Sequence, residues 1–196
     1  MRLVLASASP PRARLLRAAG FTFEVCAVDV DEVTRVGEPP ASYVRRLAAE
    51  KSMRASIAFG GRHVQEQIVV LGADTAVVVD GEILGKPRDE RDATAMLHRL
   101  SGRRHDVITG LSLRTATAEV GRVETTAVYF SPLNADEIAW YVARGEGRDK
   151  AGGYAIQGLA LRFIPQIEGS YSNVVGLPLG CLYQLLKELG VSYSGG

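Results

Sequence analysis

Asp74 and Lys86 bracket a stretch, DTAVVVDGEILGK, whose middle is apolar and whose centre is Asp80-Gly81. An Asp-Gly pair between apolar runs predicts a tight β-hairpin. With Asp74 and Thr75 opening the outgoing strand and Lys86 just past the returning one, a carboxylate and an ammonium arrive at one end of the pair. They can close on each other as a salt bridge, or share a ligand. Strand register to a single residue is not set by such a pattern.

Further cations fall where chemistry can use them. Residues 41–59, ASYVRRLAAEKSMRASIAF, predict an amphipathic helix with Val44, Leu47, Ala48, Ala55 and Ala58 on one stripe. Lys51 lies on that stripe. A buried ammonium without a partner is costly, so Lys51 either extends its methylenes out to water or reaches an anion in a cleft. ASASPPRAR, residues 6–14, carries small and hydroxyl side chains into a helix start beside Arg12 and Arg14. Free N–H groups at such a start bind phosphate, although a Ser-Pro cap with solvated arginines has the same sequence. EGRDKAGGYAIQG, residues 146–158, places Lys150 before a small-residue stretch that lets backbone approach a ligand, and adds the Gln157 amide, which suits a base edge. A glycine-rich turn with a solvated lysine is the plainer alternative. GSYSNVVGLPLG, residues 169–180, repeats hydroxyls and Asn173 before the last helix.

Arg12, Lys51, Lys86 and Lys150 stand against few carboxylates, chiefly Glu32 and Asp74. Several cations with a carboxylate pair match a polyphosphate and a divalent metal: the cations neutralise phosphates, and Asp and Glu oxygens hold Mg²⁺. HExxH, GxSxG and GxxxxGK[ST] are absent, which argues against a zincin, an α/β-hydrolase and a P-loop NTPase. His63, His98 and His105 form no metal pattern, and structural or surface roles are expected for them.

The elements that position these residues alternate. RLVLAS predicts a buried strand and SPPRARLLRAAG a helix with proline at its start and Gly20 at its end. FTFEVCAV predicts a second strand running into DVDE, GGRHVQEQ a loop, and IVVLGAD a strand before the hairpin. A helix then starts near Asp89, with Ala93, Met96, Leu97 and Leu100 on one face and Gly102 past its end. HDVITGLSLRTA and VETTAVYFSPL predict an antiparallel strand pair. NADEIAWYVARG has a capping box, Asn134 to Glu137, and Gly145 as its stop. LPLGCLYQLLKELG is the final helix, with Leu182, Leu185, Leu186 and Leu189 inward, and the tail SYSGG is expected to be mobile. The order implies one α/β domain over residues 1–196.

Of 196 residues, 46% are apolar and 23% charged, enough for a real core. A formal net charge of +1 excludes bulk attraction to nucleic acid or acidic membrane. No apolar run approaches a membrane span, MRLVLASASP is too short for a signal peptide, and Cys26 and Cys181 read as buried hydrophobes of a reducing cytosol. A soluble cytoplasmic protein is expected.

LASASPPR, YVRRLAAEKS, GADT, GKP, LSGRRHDVITG, DKAGGYAIQG and GSYSNVVGLPL occur in one order over nearly the whole chain. Together they resemble the Maf proteins, the septum-formation-inhibitor-like nucleotide pyrophosphatases. The resemblance implies a mixed-sheet α/β fold like that of inosine triphosphate pyrophosphatases, with two lobes around a nucleotide cleft. It implies cleavage of a nucleoside triphosphate to the monophosphate and pyrophosphate with Mg²⁺ or Mn²⁺. By motif, Asp74 matches the catalytic carboxylate, and Arg12, Lys51 and Lys86 the phosphate-binding positions. Glu32 is an acidic position able to join Asp74 at the metal. Thr75 and Gln157 fit the dTTP/UTP branch, whereas Pro11 replaces its arginine after Ser-Pro. The tryptophan and glutamate typical of the 7-methyl-GTP branch are absent, so dTTP/UTP is favoured and a broader preference stays open. A homodimer is a further implication. The family name keeps a second reading open, a nucleotide-binding regulator acting through a cell-division partner. An inosine-triphosphate-cleaning enzyme is a third.

Overall fold

The computed structural model describes residues 2–60 and 68–191. The loop expected over GGRHVQEQ, beyond Gly60, and the tail 192–196 lie outside the described residues. The elements are β1 (Arg2–Leu5), α1 (Pro10–Ala18), β2 (Phe23–Val25), α2 (Pro40–Gly60), β3 (Ile68–Val79), β4 (Glu82–Leu84) and α3 (Glu90–Leu100). They continue with β5 (Arg104–Arg114), β6 (Glu119–Tyr129), α4 (Ala135–Ala143), β7 (Gln166–Glu168), α5 (Tyr171–Val175) and α6 (Leu179–Glu188). Hydrogen-bonded strand neighbours run β2-β1-β3-β5-β6-β7, with β4 on β3. β1 pairs in parallel with β2 and β3, whereas β3–β4 and β6–β7 are antiparallel, so the sheet is mixed and the fold α/β.

The chain forms two compact units with boundaries inside β3, β5 and β6 and between α5 and α6. Unit 1 is Met1–Asp74, Thr109–Glu124 and Gly176–Gly196; unit 2 is Thr75–Ile108 and Thr125–Val175. In unit 1, Leu3, Leu5, Leu16, Leu71, Leu111 and Leu182 build a core in which all six are at most 1% exposed. Each contributes roughly 2 kcal/mol by leaving water. Parallel β1 is buried on both faces from Leu3 onward, as a covered parallel strand requires. Unit 2 has its own core, including Val77, Leu97, Val128, Ile138, Tyr141 and Phe163. Its hairpin turns at Asp80 and Gly81, with φ of 54° and 79°, the positive pair of a type I′ turn. Asp89 caps α3 by accepting from the Asp92 N–H at 2.7 Å, and Asn134 and Glu137 complete the capping box of α4.

Five expectations change. IVVLGAD and AVVV are not two strands but one, β3, which runs through Asp74 without a break. The second strand is only Phe23–Val25 long, with one further bond from the Cys26 N–H to the Leu5 carbonyl, 2.9 Å. Ala58 is exposed, because the inward position one turn beyond Ala55 is taken by Phe59, and Cys26 is only half-buried. The hydroxyl-rich stretch before the last helix contains the short α5. Among the described residues no helix is long and apolar enough to cross a membrane.

Candidate active site

The position of Lys51 follows from two glycines. A Cβ at Gly72 would stand 2.0 Å from the Ala48 carbonyl oxygen, and one at Gly110 would stand 2.3 Å from that of Val44. Only bare backbone at these strand positions lets α2 lie so close to β3 and β5. Lys51 is one turn beyond Ala48, and Asp74 is on the same strand face as Gly72, two residues on. The Lys51 Nζ donates to Asp74 Oδ1 at 2.6 Å and to Glu32 Oε1 at 2.8 Å. Lys51 and Asp74 are 8% and 7% exposed, so this is a buried ion pair, while Glu32 reaches it from the surface. The inward lysine thus finds its anion within its own chain.

Arg12, in the first turn of α1, is buried beside the pair. Its Nε donates to the Gly176 carbonyl at 2.8 Å and its Nη1 to Ser7 Oγ at 3.1 Å. Burial pulls the guanidinium pKa down, and the fields of Asp74 and Glu32 oppose that fall. Tyr43 donates its hydroxyl to the Glu32 carbonyl at 2.9 Å, holding the acidic segment against α2. Burial first, then Asp74 and Glu32, push its phenol up to about 12, so it remains a neutral donor. Unit 1 therefore gathers Arg12, Glu32, Lys51 and Asp74, two cations and two carboxylates. Tyr43 and the two glycines escaped the sequence reading. A tyrosine beside an apolar stripe carries no signal of its own, but a glycine inside a strand does signal a close approach.

Among the described residues no group of three His, Cys, Asp or Glu side chains forms a metal cluster. Glu32 and Asp74 nevertheless supply hard carboxylate oxygens around one cation, the Lys51 ammonium. Mg²⁺ commonly takes one or two carboxylates and completes its shell with water and substrate phosphate. The donor set fits a metal of that kind.

Unit 2 holds the other candidates. Thr75 is half-buried on β3, two residues before Val77, and Lys86 is exposed two residues beyond Leu84, the partner of Val77. The GKP and DKAGG segments are joined by the Gly152 N–H, which donates to the Gly85 carbonyl at 3.0 Å. Lys150 donates to Asp149 Oδ2 at 2.7 Å, and Lys150, with Lys86 adding its field, holds the Asp149 carboxyl below the usual range. Gln157 is exposed on a turn closed by the Gly158 N–H on the Ala155 carbonyl, 3.1 Å. A cavity of about 380 Å³ in this unit is lined by Pro87, Arg88, Tyr141, Arg148 and Gly153 among others, not by Lys86 or Gln157.

Two polar residues of the motifs are structural. His105, 2% exposed, shares a 2.8 Å hydrogen bond between Nε2 and the Tyr154 hydroxyl and lies edge-on to Phe130 and Tyr154. Burial pulls its pKa down to about 4, so it is neutral. Asn173 donates to the Val107 carbonyl and to Thr126 Oγ1, both at 2.9 Å.

Residues 2–189 match the family model described as "Maf-like protein". The "dTTP/UTP pyrophosphatase" of Symbiobacterium thermophilum is 47% identical over 100% of this chain and 98% of its own length. That of Shewanella oneidensis is 50% identical over 97% of this chain and all of its own. Among solved structures, the Staphylococcus aureus Ham1 protein superposes with a TM-score of 0.51 at 14% identity, covering 96% of this chain and 100% of that one, a likeness of fold.

Proposed function

The chain belongs to the Maf-like protein family, and from that premise we propose that it is a nucleoside triphosphate pyrophosphatase acting on dTTP and UTP. It cleaves the bond between the α-phosphorus and the α,β-bridging oxygen, giving the nucleoside monophosphate and pyrophosphate. The observation that carries the reading is the buried Lys51 ammonium held between Asp74 and Glu32, with Arg12 beside them. The relatives' names, at 47% and 50% identity, support the pyrimidine preference despite Pro11.

Asp74 is the proton acceptor. One of its oxygens is engaged by Lys51, which orients the carboxylate, and the other takes the proton of the attacking water. Two of the three Lys51 N–H groups hold carboxylates, and the third is the donor for a phosphate oxygen. Arg12, fixed by Gly176 and Ser7, adds a preorganised positive charge as negative charge builds on the phosphates. Glu32 and Asp74 would hold the divalent cation, which when bound supplies charge neutralisation at the phosphates. Lys86 is assigned to phosphate, and Thr75 and Gln157 to the base.

Hydrolysis in ¹⁸O-water tests the bond assignment. Attack at the α-phosphorus puts the label in UMP and none in pyrophosphate. Label in pyrophosphate or in free phosphate rejects the reading.

A further inference from the structure

Gln157 is exposed, and an exposed glutamine that must read a base loses rotamer and backbone freedom when it does so. Its backbone, however, is held on both sides. The Ala155 N–H, two residues before it, donates to the Tyr141 hydroxyl at 3.1 Å. The Leu159 N–H, two residues after it, donates to Glu146 Oε1 and Oε2 at 3.0 and 2.9 Å. The two anchors are joined, because the Tyr141 hydroxyl donates to Glu146 Oε2 at 2.9 Å. Gly158 closes the turn and leaves the carboxylate its place: a Cβ there would stand 1.8 Å from Glu146 Oε1.

The anchors are themselves fixed. Tyr141 is 1% exposed at the end of α4, and its ring packs edge-on to Phe163. Burial, with the Glu146 carboxylate adding to it, raises the phenol well above its ordinary value, so it stays a donor at any working pH. Glu146 follows Gly145, the left-handed residue that ends α4 at φ 69°. One residue before the turn, Tyr154 is tied to His105.

We infer that Tyr141 and Glu146 are positioning residues for Gln157, a clamp on both ends of the Ala155–Gly158 turn that sets which base the enzyme accepts. The inference rests on the reading of Gln157 as a base contact. In this assignment both act through the turn, by the hydrogen bonds to the Ala155 and Leu159 N–H groups.

The test is the ratio of kcat/KM for UTP over ITP in the wild type, Tyr141→Phe, Glu146→Gln, Gln157→Ala and the Tyr141→Phe/Gln157→Ala double variant. Thermal unfolding of each confirms folding, and Glu146→Gln serves if Tyr141→Phe fails to fold. The clamp predicts that Tyr141→Phe and Glu146→Gln each lower the ratio by roughly tenfold, the worth of about one hydrogen bond to a charged group. It also predicts that Tyr141→Phe has no further effect on the ratio once Gln157 is gone. A merely structural role lowers kcat/KM equally for both nucleotides and leaves the ratio unmoved, and that result overturns the clamp while Gln157 stands. If Gln157→Ala leaves the ratio at the wild-type value, the base-contact reading falls and the clamp with it. If the wild type hydrolyses neither nucleotide, the activity reading is at fault.

Discussion

At the scale of single residues, the centre of the molecule is the ammonium of Lys51. Removing it leaves Asp74 buried and without its counter-ion, and breaking such a pair costs about 3 kcal/mol. Lys51→Met is therefore expected to lower the urea midpoint by that equivalent and to raise KM for the nucleotide; a variant as stable as the wild type contradicts the pairing. His105 makes a second prediction. Its folded pKa of about 4 lies below the ordinary 6.5, so the unfolded chain takes up the proton first. Stability tied to this residue is complete above pH 6.5 and is lost as the pH falls toward 4, by about 3 kcal/mol. In urea titrations between pH 7 and 4, His105→Gln should lack that part of the slope; equal slopes in both proteins refute it. The sequence marked Lys51, because a charge on an apolar helical stripe must either extend out to water or meet an anion, and the structure shows the second. Glu32 was singled out as a carboxylate but not as a partner of Lys51, since it sits in an irregular stretch with no periodicity to aim it.

At the scale of elements, helix α2 and strand β3 decide where the chemistry lies. Asp is poorly suited to a buried strand, which is why the sequence suggested a boundary at Asp74. The strand continues through that position because Lys51 satisfies the carboxylate, a tertiary contact overriding local preference. The approach of α2 depends on Gly72. Gly72→Ala puts a methyl group against the Ala48 carbonyl, a backbone atom that cannot yield without moving the helix. A loss of about 2 kcal/mol in chemical denaturation, with turnover falling as Lys51 is displaced, is expected. Unchanged stability and turnover would mean that α2 can retreat without harm. The helices and the hairpin were legible because caps, stripes and Asp-Gly turns are local signals. The lengths of β2 and β3 and the short α5 were not, because pairing partners far along the chain set them.

At the scale of the whole molecule, the α/β class was legible from the alternation of strands and helices, the family from motifs spread along the chain, and the mixed sheet from that resemblance. Two lobes were expected from the resemblance alone, and where the units divide was not legible, since three of the four boundaries cut through β3, β5 and β6 and only the fourth falls in a linker, after α5. The two carboxylates of unit 1 predict a dependence on divalent cation: EDTA should abolish pyrophosphate release and Mg²⁺ restore it, whereas full activity in EDTA would remove the metal from the account. The most direct test of the central claim is pyrophosphate release from UTP and dTTP by the wild type and by Asp74→Asn, with nucleotide binding followed by calorimetry. The account predicts release by the wild type, a loss of roughly 10²-fold or more in kcat for the variant, and binding retained. Turnover unchanged in Asp74→Asn, or a loss that merely follows lost binding, would contradict Asp74 as the proton acceptor.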